Sequence, residues 1–151
     1  MLKKEICCHV LCITEERAEK FFRGEISVLL TWIPVVAKLP LKVYIITDRN
    51  TMKIIGCATL THQFVMRCDF MWNFGSHLKM RKEQFDAYFH LREMGVQMIF
   101  RERKIFEKSY QSDVFAPYVL YNRLKVQTLW IDGLEKSIID NCESHSEIVQ
   151  I

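Results

Sequence analysis

The chain has no run of about 18 or more apolar residues, the length a membrane-spanning helix needs. It has no Cys-x-x-Cys pair, no internal repeat, no low-complexity segment and no linker-like stretch. It also lacks a strong charge of either sign: the net charge is +3 with histidine neutral, far from the basic excess of a typical nucleic-acid domain. Each absence removes a class. A membrane span is not expected, the chain reads as one domain, and an anionic partner is permitted without being demanded. The six cysteines, Cys7, Cys8, Cys12, Cys57, Cys68 and Cys142, lie in a chain too long for a small secreted disulfide scaffold. Cys8 and Cys12 flank His9 and share a face if the segment is a strand, which invites a metal reading. With no second cluster at ligand spacing, small buried thiols in a core strand are the competing reading.

What is present is organised. With 151 residues, half of them hydrophobic and a quarter charged, the chain can bury a proper core. The N-terminal "MLKKEICCHVLCITEER" has lysines ahead of an apolar stretch, yet Glu5 and His9 break that stretch and it leads into a charged helix. It reads as a first strand, Glu5 to Ile13, rather than a signal peptide, so a cytoplasmic location is expected. Thr14 caps a short helix with Glu15 and Glu16 in its first turn, Ala18, Phe21 and Phe22 on its stripe, and Gly24 as its stop. Ser27 to Ile33 is apolar on both faces, the pattern of a doubly buried strand. Lys42 to Asp48 and Lys53 to Val65 form a pair joined by the turn "DRNTMK", and Gly56 marks a bulge or a close backbone approach. Phe70, Met71 and Phe74 stand at helical spacing. Arg81 to Gly95 is expected as an amphipathic helix ending at Gly95, and Val96 to Tyr110 as a long strand bent near Arg103. "DVFAPYVLYNRLKV" is a loop containing Pro117. "LWIDGLEKSIIDNC" reads as a last helix with Leu134, Ile138 and Ile139 on its stripe. One domain, 1–142, is expected, with a loose tail at 143–151. The order of elements argues for an α+β fold around a small, strongly bent or closed mixed barrel with flanking helices.

The runs "ITEERAEKFFRGE", "LKVYIITDRNTMKIIGCATL", "DFMWNFGSHLKMRKEQFDAYFHLREMGVQMIF" and "KIFEKSYQSDVFAPYVLYNRL" together resemble the ASCH domain, a branch of the PUA-like superfamily. The likeness spans residues 6 to 125 and rests on order and spacing. It implies a PUA-like barrel. The family's sharp motif is Gly-x-Lys-x-x-Glu-x-Arg after the first helix. Gly24 matches it, but Ile26, Leu29 and Thr31 stand where the charges belong. In the family those charges line the barrel cleft, where RNA or a nucleotide is bound, and some members use a Lys and a carboxylate to hydrolyse a modified nucleoside. Ile26 and Leu29 can neither move a proton nor fix a phosphate.

By that resemblance the candidate ligand-binding cleft comprises Gly24, Glu25, Thr31, Trp32 and Tyr44. Trp32 or Tyr44 would stack a base and Thr31 would donate a hydrogen bond; the competing reading makes Trp32 a core aromatic. A second candidate is a phosphate-tracking strand edge of Arg101, Arg103 and Lys104, against a charged strand that guards its own edge. Lys79 to Lys82, "KMRK", precede a helix N-terminus, where cations are not favoured. No catalytic or metal residue and no cofactor is assigned; His9, His62, His77 and His90 have no partner at motif spacing. The expected function is a regulatory RNA- or nucleotide-binding module without catalysis. The alternatives are a small hydrolase or ribonuclease, using Glu25 with Lys42 or His62, and a protein-interaction factor presenting Phe64, Met66, Phe70, Met71 and Trp72.

Overall fold

A computed structural model of the chain describes residues 6–47, 53–73, 78–115 and 124–149. Strand β1 spans Ile6–Ile13 and helix α1 Glu15–Phe22. The Thr14 side chain accepts the Arg17 N–H at 3.2 Å, which satisfies one of the donors a helix start leaves open. At the other end Gly24 takes φ 78°. Its N–H reaches the Phe21 carbonyl at 3.2 Å and the Glu25 N–H reaches Lys20 at 2.9 Å, the paired bonds of a Schellman stop. The glycine is needed because other residues rarely take that backbone conformation without strain.

Six further strands follow: β2 Val28–Thr31, β3 Leu41–Thr47, β4 Lys53–Arg67, β5 Met94–Gln111, β6 Gln127–Ile131 and β7 Ser146–Ile148. They form one mixed sheet in the order β2-β5-β4-β3-β1-β6, with β7 beside β5. Among the described residues only β1 and β3 run parallel, with Leu11 opposite Ile45; β1 and β6 are antiparallel, with Ile6 opposite Ile131. Among the described residues no ladder closes the sheet. A backbone hydrogen bond of 2.6 Å from the Trp32 N–H to the Leu124 carbonyl ties the chain after β2 to the chain before β6.

Period-two alternation sorts the strand residues between two faces. One face joins Leu11, Val43, Ile45, Leu60, Met98 and Leu29 to Phe21 and Phe22 of α1. The other face is covered in two places. Helix α4, Gly133–Ser144, lies over Cys8, Val10, Tyr44, Cys57 and Leu129 through Ile139. Helices α2, Cys68–Trp72, and α3, Lys82–Tyr88, lie over Val28 and Leu30 through Met71 and Phe85. All four residues of β2 are buried, so both of its faces are covered as its sequence implies.

Several expectations are corrected. Helix α3 ends at Tyr88, Leu91 turns the chain at φ 60°, and Gly95 lies inside β5. A Cβ at Gly95 would stand 2.5 Å from the Phe89 ring, so this glycine serves close packing and not a helix stop. "LWI" lies in β6; Asp132 caps α4 by accepting the Glu135 N–H at 2.8 Å. On α4 Ile139 packs against the sheet, Ile138 is half-buried and Leu134 is exposed. The tail is not loose throughout: 143–144 finish α4 and 146–148 pair with β5. Of the aromatic and methionine segment, Met71 is core, Met66 and Trp72 are half-buried, and Phe64 and Phe70 are exposed. The turn at 48–52, Phe74, His77 and Pro117 lie outside the described residues.

Helix α4 is pinned by its last turn. The Glu143 carboxylate accepts from Lys42 at 2.6 Å, Tyr44 at 3.2 Å and Lys104 at 3.4 Å. Burial opposes its ionisation, but the hydrogen bonds and charges of the two lysines outweigh burial and hold its pKa below the ordinary 4.5. A carboxylate with a depressed folded-state pKa stabilises above its unfolded value and loses that stabilisation as pH falls through the folded one. Glu143→Gln should therefore melt below the wild type at neutral pH, and the gap in melting temperature should narrow only below pH 4.5. Gly56 offers a second test. A Cβ there would stand 2.3 Å from the Lys104 carbonyl and 2.6 Å from the Phe22 ring, and the β4–β5 register shifts beside it. Gly56→Ala should cost roughly 1–3 kcal/mol in urea denaturation, the range for overpacking.

Candidate functional site

The sequence places its candidate site beside the glycine turn, and the structure separates its members. Gly24 shapes the turn. Glu25 is exposed and lines a shallow groove with Lys20 and Lys79. Thr31 is fully buried and donates to the Ile33 carbonyl at 3.3 Å. Tyr44 lies on the sheet face under α4, hydrogen-bonded to Glu143; burial first, then the Glu143 carboxylate, raises its pKa far above the ordinary 10.0. It therefore does not share a cleft with Trp32. The positions of the motif's lost charges, Ile26, Leu29 and Thr31, are 0%, 1% and 0% exposed, and Ile26 and Leu29 belong to the α1-side core.

Trp32 alone of the five borders a cleft at the sheet's open side. The cleft holds about 240 Å³ between α3 and the ends of β1 and β2, and is lined by Cys12, Ile13, Thr14, Trp32, Ala87, Tyr88 and Leu124. The Trp32 indole N–H donates to the Tyr88 carbonyl at 2.6 Å, and the Arg92 guanidinium covers the indole ring at 4.0 Å. Burial raises the Tyr88 phenol pKa, against the opposing charge of Arg17. The Cys12 thiol donates to the Thr47 carbonyl at 3.7 Å. Among the described lining residues none carries a carboxylate, an imidazole or an amine. A wider open groove of about 520 Å³, lined by Glu107, Lys108, Asn141, Cys142 and His145, lies at the end of α4. It shares no residue with the cleft.

The basic series on β5 also divides. Glu102 takes φ 53°, and the register moves from Thr59 opposite Arg101 to Cys57 opposite Lys104, so β5 carries an extra residue here. This bulge reverses the alternation. Arg103 turns inward and is 3% exposed, contrary to a phosphate-tracking role. Its guanidinium donates to the carbonyls of Phe21 at 2.6 Å, Ile26 at 2.8 Å and Ser27 at 3.3 Å, and lies 4.0 Å from the Phe21 ring centre. Burial pushes its pKa down to about 10. Arg101 stays exposed, in a cross-strand row with Thr59 and Lys42, and Lys104 is paired with Glu143. The pair proposed for hydrolysis is also dispersed: Glu25 lies by Lys79, Lys42 by Glu143, and His62 stacks on Phe64. Cys8 and Cys12 share the buried face under α4, and among the described residues no group of three or more His, Cys, Asp or Glu could hold a metal ion. No described helix is long and apolar enough to cross a membrane.

Sequence reasoning missed Arg92, Tyr88 and Arg17. Arg17 is 6% exposed and donates to the carbonyls of Leu78 and Lys79 at 3.2 Å each. Its place in the first turn of α1 gave a weak signal, since a basic residue there opposes the helix dipole.

A mixed sheet whose two faces are covered by helices, with a cleft at the ends of β1 and β2, makes an α+β architecture. An ASCH protein from Zymomonas mobilis superposes with a TM-score of 0.69 at 17% identity, over 94% of this chain and 97% of that one. Its serine-to-alanine variant gives 0.69 at 15% over 93% and 98% of the two chains. Its tyrosine-to-phenylalanine variant gives 0.69 at 16% over 88% and 96%. No family model and no curated protein matches the sequence. The chain has the ASCH-domain fold.

Arg103→Met leaves three backbone carbonyls without their donor and should cost about 3 kcal/mol in urea denaturation. Arg101→Gln, two residues away on the exposed face, should stay within about 0.5 kcal/mol of wild type.

Proposed function

We propose that this chain is a cytoplasmic, regulatory, non-catalytic module that takes a base of RNA or of a free nucleotide into the cleft beside Trp32. The observation that carries this reading is the make-up of the cleft. It is small and uncharged, and Trp32 and Tyr88 line it. At about 240 Å³ it is below the ~300 Å³ at which drug-sized sites begin, so it suits one base better than a length of chain. An indole presents a flat face to a base, and such stacking contributes roughly 1–3 kcal/mol per base. The hydroxyl of Thr14 is a polar group in reach of a base edge. Proton transfer at neutral pH needs a group that titrates there. The Tyr88 phenol, its pKa raised by burial, does not fill that role.

Isothermal titration with nucleosides and with short single-stranded RNA, on wild type and Trp32→Ala, tests the reading. Binding that weakens by roughly tenfold in the variant is expected. Absence of any heat at millimolar nucleoside and at tens of micromolar RNA would remove it.

A further inference from the structure

Two guanidinium groups flank this uncharged cleft, and neither has a carboxylate partner among the described residues. Arg92 is exposed and lies over the Trp32 ring at 4.0 Å. The carboxylates that share its surface groove are engaged elsewhere: Asp69 with Arg67 at 3.1 Å and Asp86 with Lys82 at 2.9 Å. The backbone fixes its place. Leu91 at φ 60° and the Arg92 N–H, bonded to the Phe89 carbonyl at 2.8 Å, return the chain toward the indole. Tyr88, at the head of the same turn, accepts the indole N–H. One turn thus holds Trp32 by its edge and its face. Arg17 is buried next to the cleft, its guanidinium held by the Leu78 and Lys79 carbonyls. Its own N–H bonds Thr14, and its charge acts on Tyr88, both of which line the cleft.

The geometry points to a phosphate-bearing ligand: a nucleoside monophosphate unit whose base enters the cleft and whose phosphate meets Arg92 at the Trp32 rim, in the field of Arg17. This inference rests on the base-binding reading above and deepens it by naming the anionic half of the ligand. The guanidinium is suited to the role because its planar donors match a phosphate two at a time, while the indole keeps it oriented before the ligand arrives. A lysine would supply the charge without that fork. The attraction is a partly exposed one, so salt weakens it.

The test compares adenosine with adenosine 5′-monophosphate, and cytidine with cytidine 5′-monophosphate, by isothermal titration at low and at 0.5 M salt. Wild type should bind each monophosphate at least tenfold more tightly than its nucleoside at low salt, and the ratio should shrink at high salt. In Arg92→Gln the ratio should fall to within about twofold, and Arg92→Lys should restore part of it. Equal affinity for nucleoside and monophosphate in the wild type overturns the inference and leaves the base-binding reading standing. An undiminished ratio in Arg92→Gln overturns the assignment to this arginine. Absence of binding by all four compounds overturns the base-binding reading and this inference together.

Discussion

The contact between Arg103 and the carbonyls of Phe21, Ile26 and Ser27 sets much of the architecture. It joins the bulged middle of β5 to the end of α1 and to the chain leading into β2. A buried guanidinium is costly unless its donors are met. Here backbone oxygens meet three of them and the Phe21 ring covers the plane, while Nε has no partner among the described groups. The last carbonyls of α1 supply the negative end of a helix dipole, which is the right sign for the charge. The bulge at Glu102 is what turns Arg103 inward; without the extra residue the side chain would point to solvent.

That junction explains why Ile26 and Leu29 are apolar. Ile26 and Leu29 face the core that Phe21 and Phe100 fill, and a lysine or glutamate there would be buried without a partner. The buried polar group of this region is Arg103, on the neighbouring strand β5, and it binds backbone carbonyls. The cleft meanwhile lies on the far side of β2, where Trp32 emerges from the strand. Its chemistry is set by α3 and the turn after it, not by the glycine turn.

The broad architecture was legible because it rests on periodicities and stops. Thr14, Gly24, the apolar β2 and the Gly56 approach all follow from local rules, and all occur where the sequence puts them. Three kinds of feature were not legible. A bulge changes which face a residue occupies, so Arg103 and Lys104 exchanged faces relative to simple alternation. A short strand that ends just before a helix cap, as in "LWID", is absorbed into the helix pattern. The members of the candidate site part for a third reason: Tyr44 in β3 and Trp32 just past β2 pack on one face of the sheet but under different helices, and only the strand order, with β5 and β4 between β2 and β3, decides that. Arg92 was hidden because a tight turn at Leu91 brings it back onto Trp32, a contact that sequence separation does not announce.

The pairing of β1 with both β3 and β6 has a consequence for how the protein is made. As the chain leaves the ribosome, β1 can be matched on one edge as soon as β3 appears. Its other edge must wait until Ile131 arrives to face Ile6. For most of synthesis the apolar, thiol-bearing first strand therefore offers bare amides and carbonyls to any neighbouring nascent chain. The finished domain covers with nearly its last strand the edge exposed by its first.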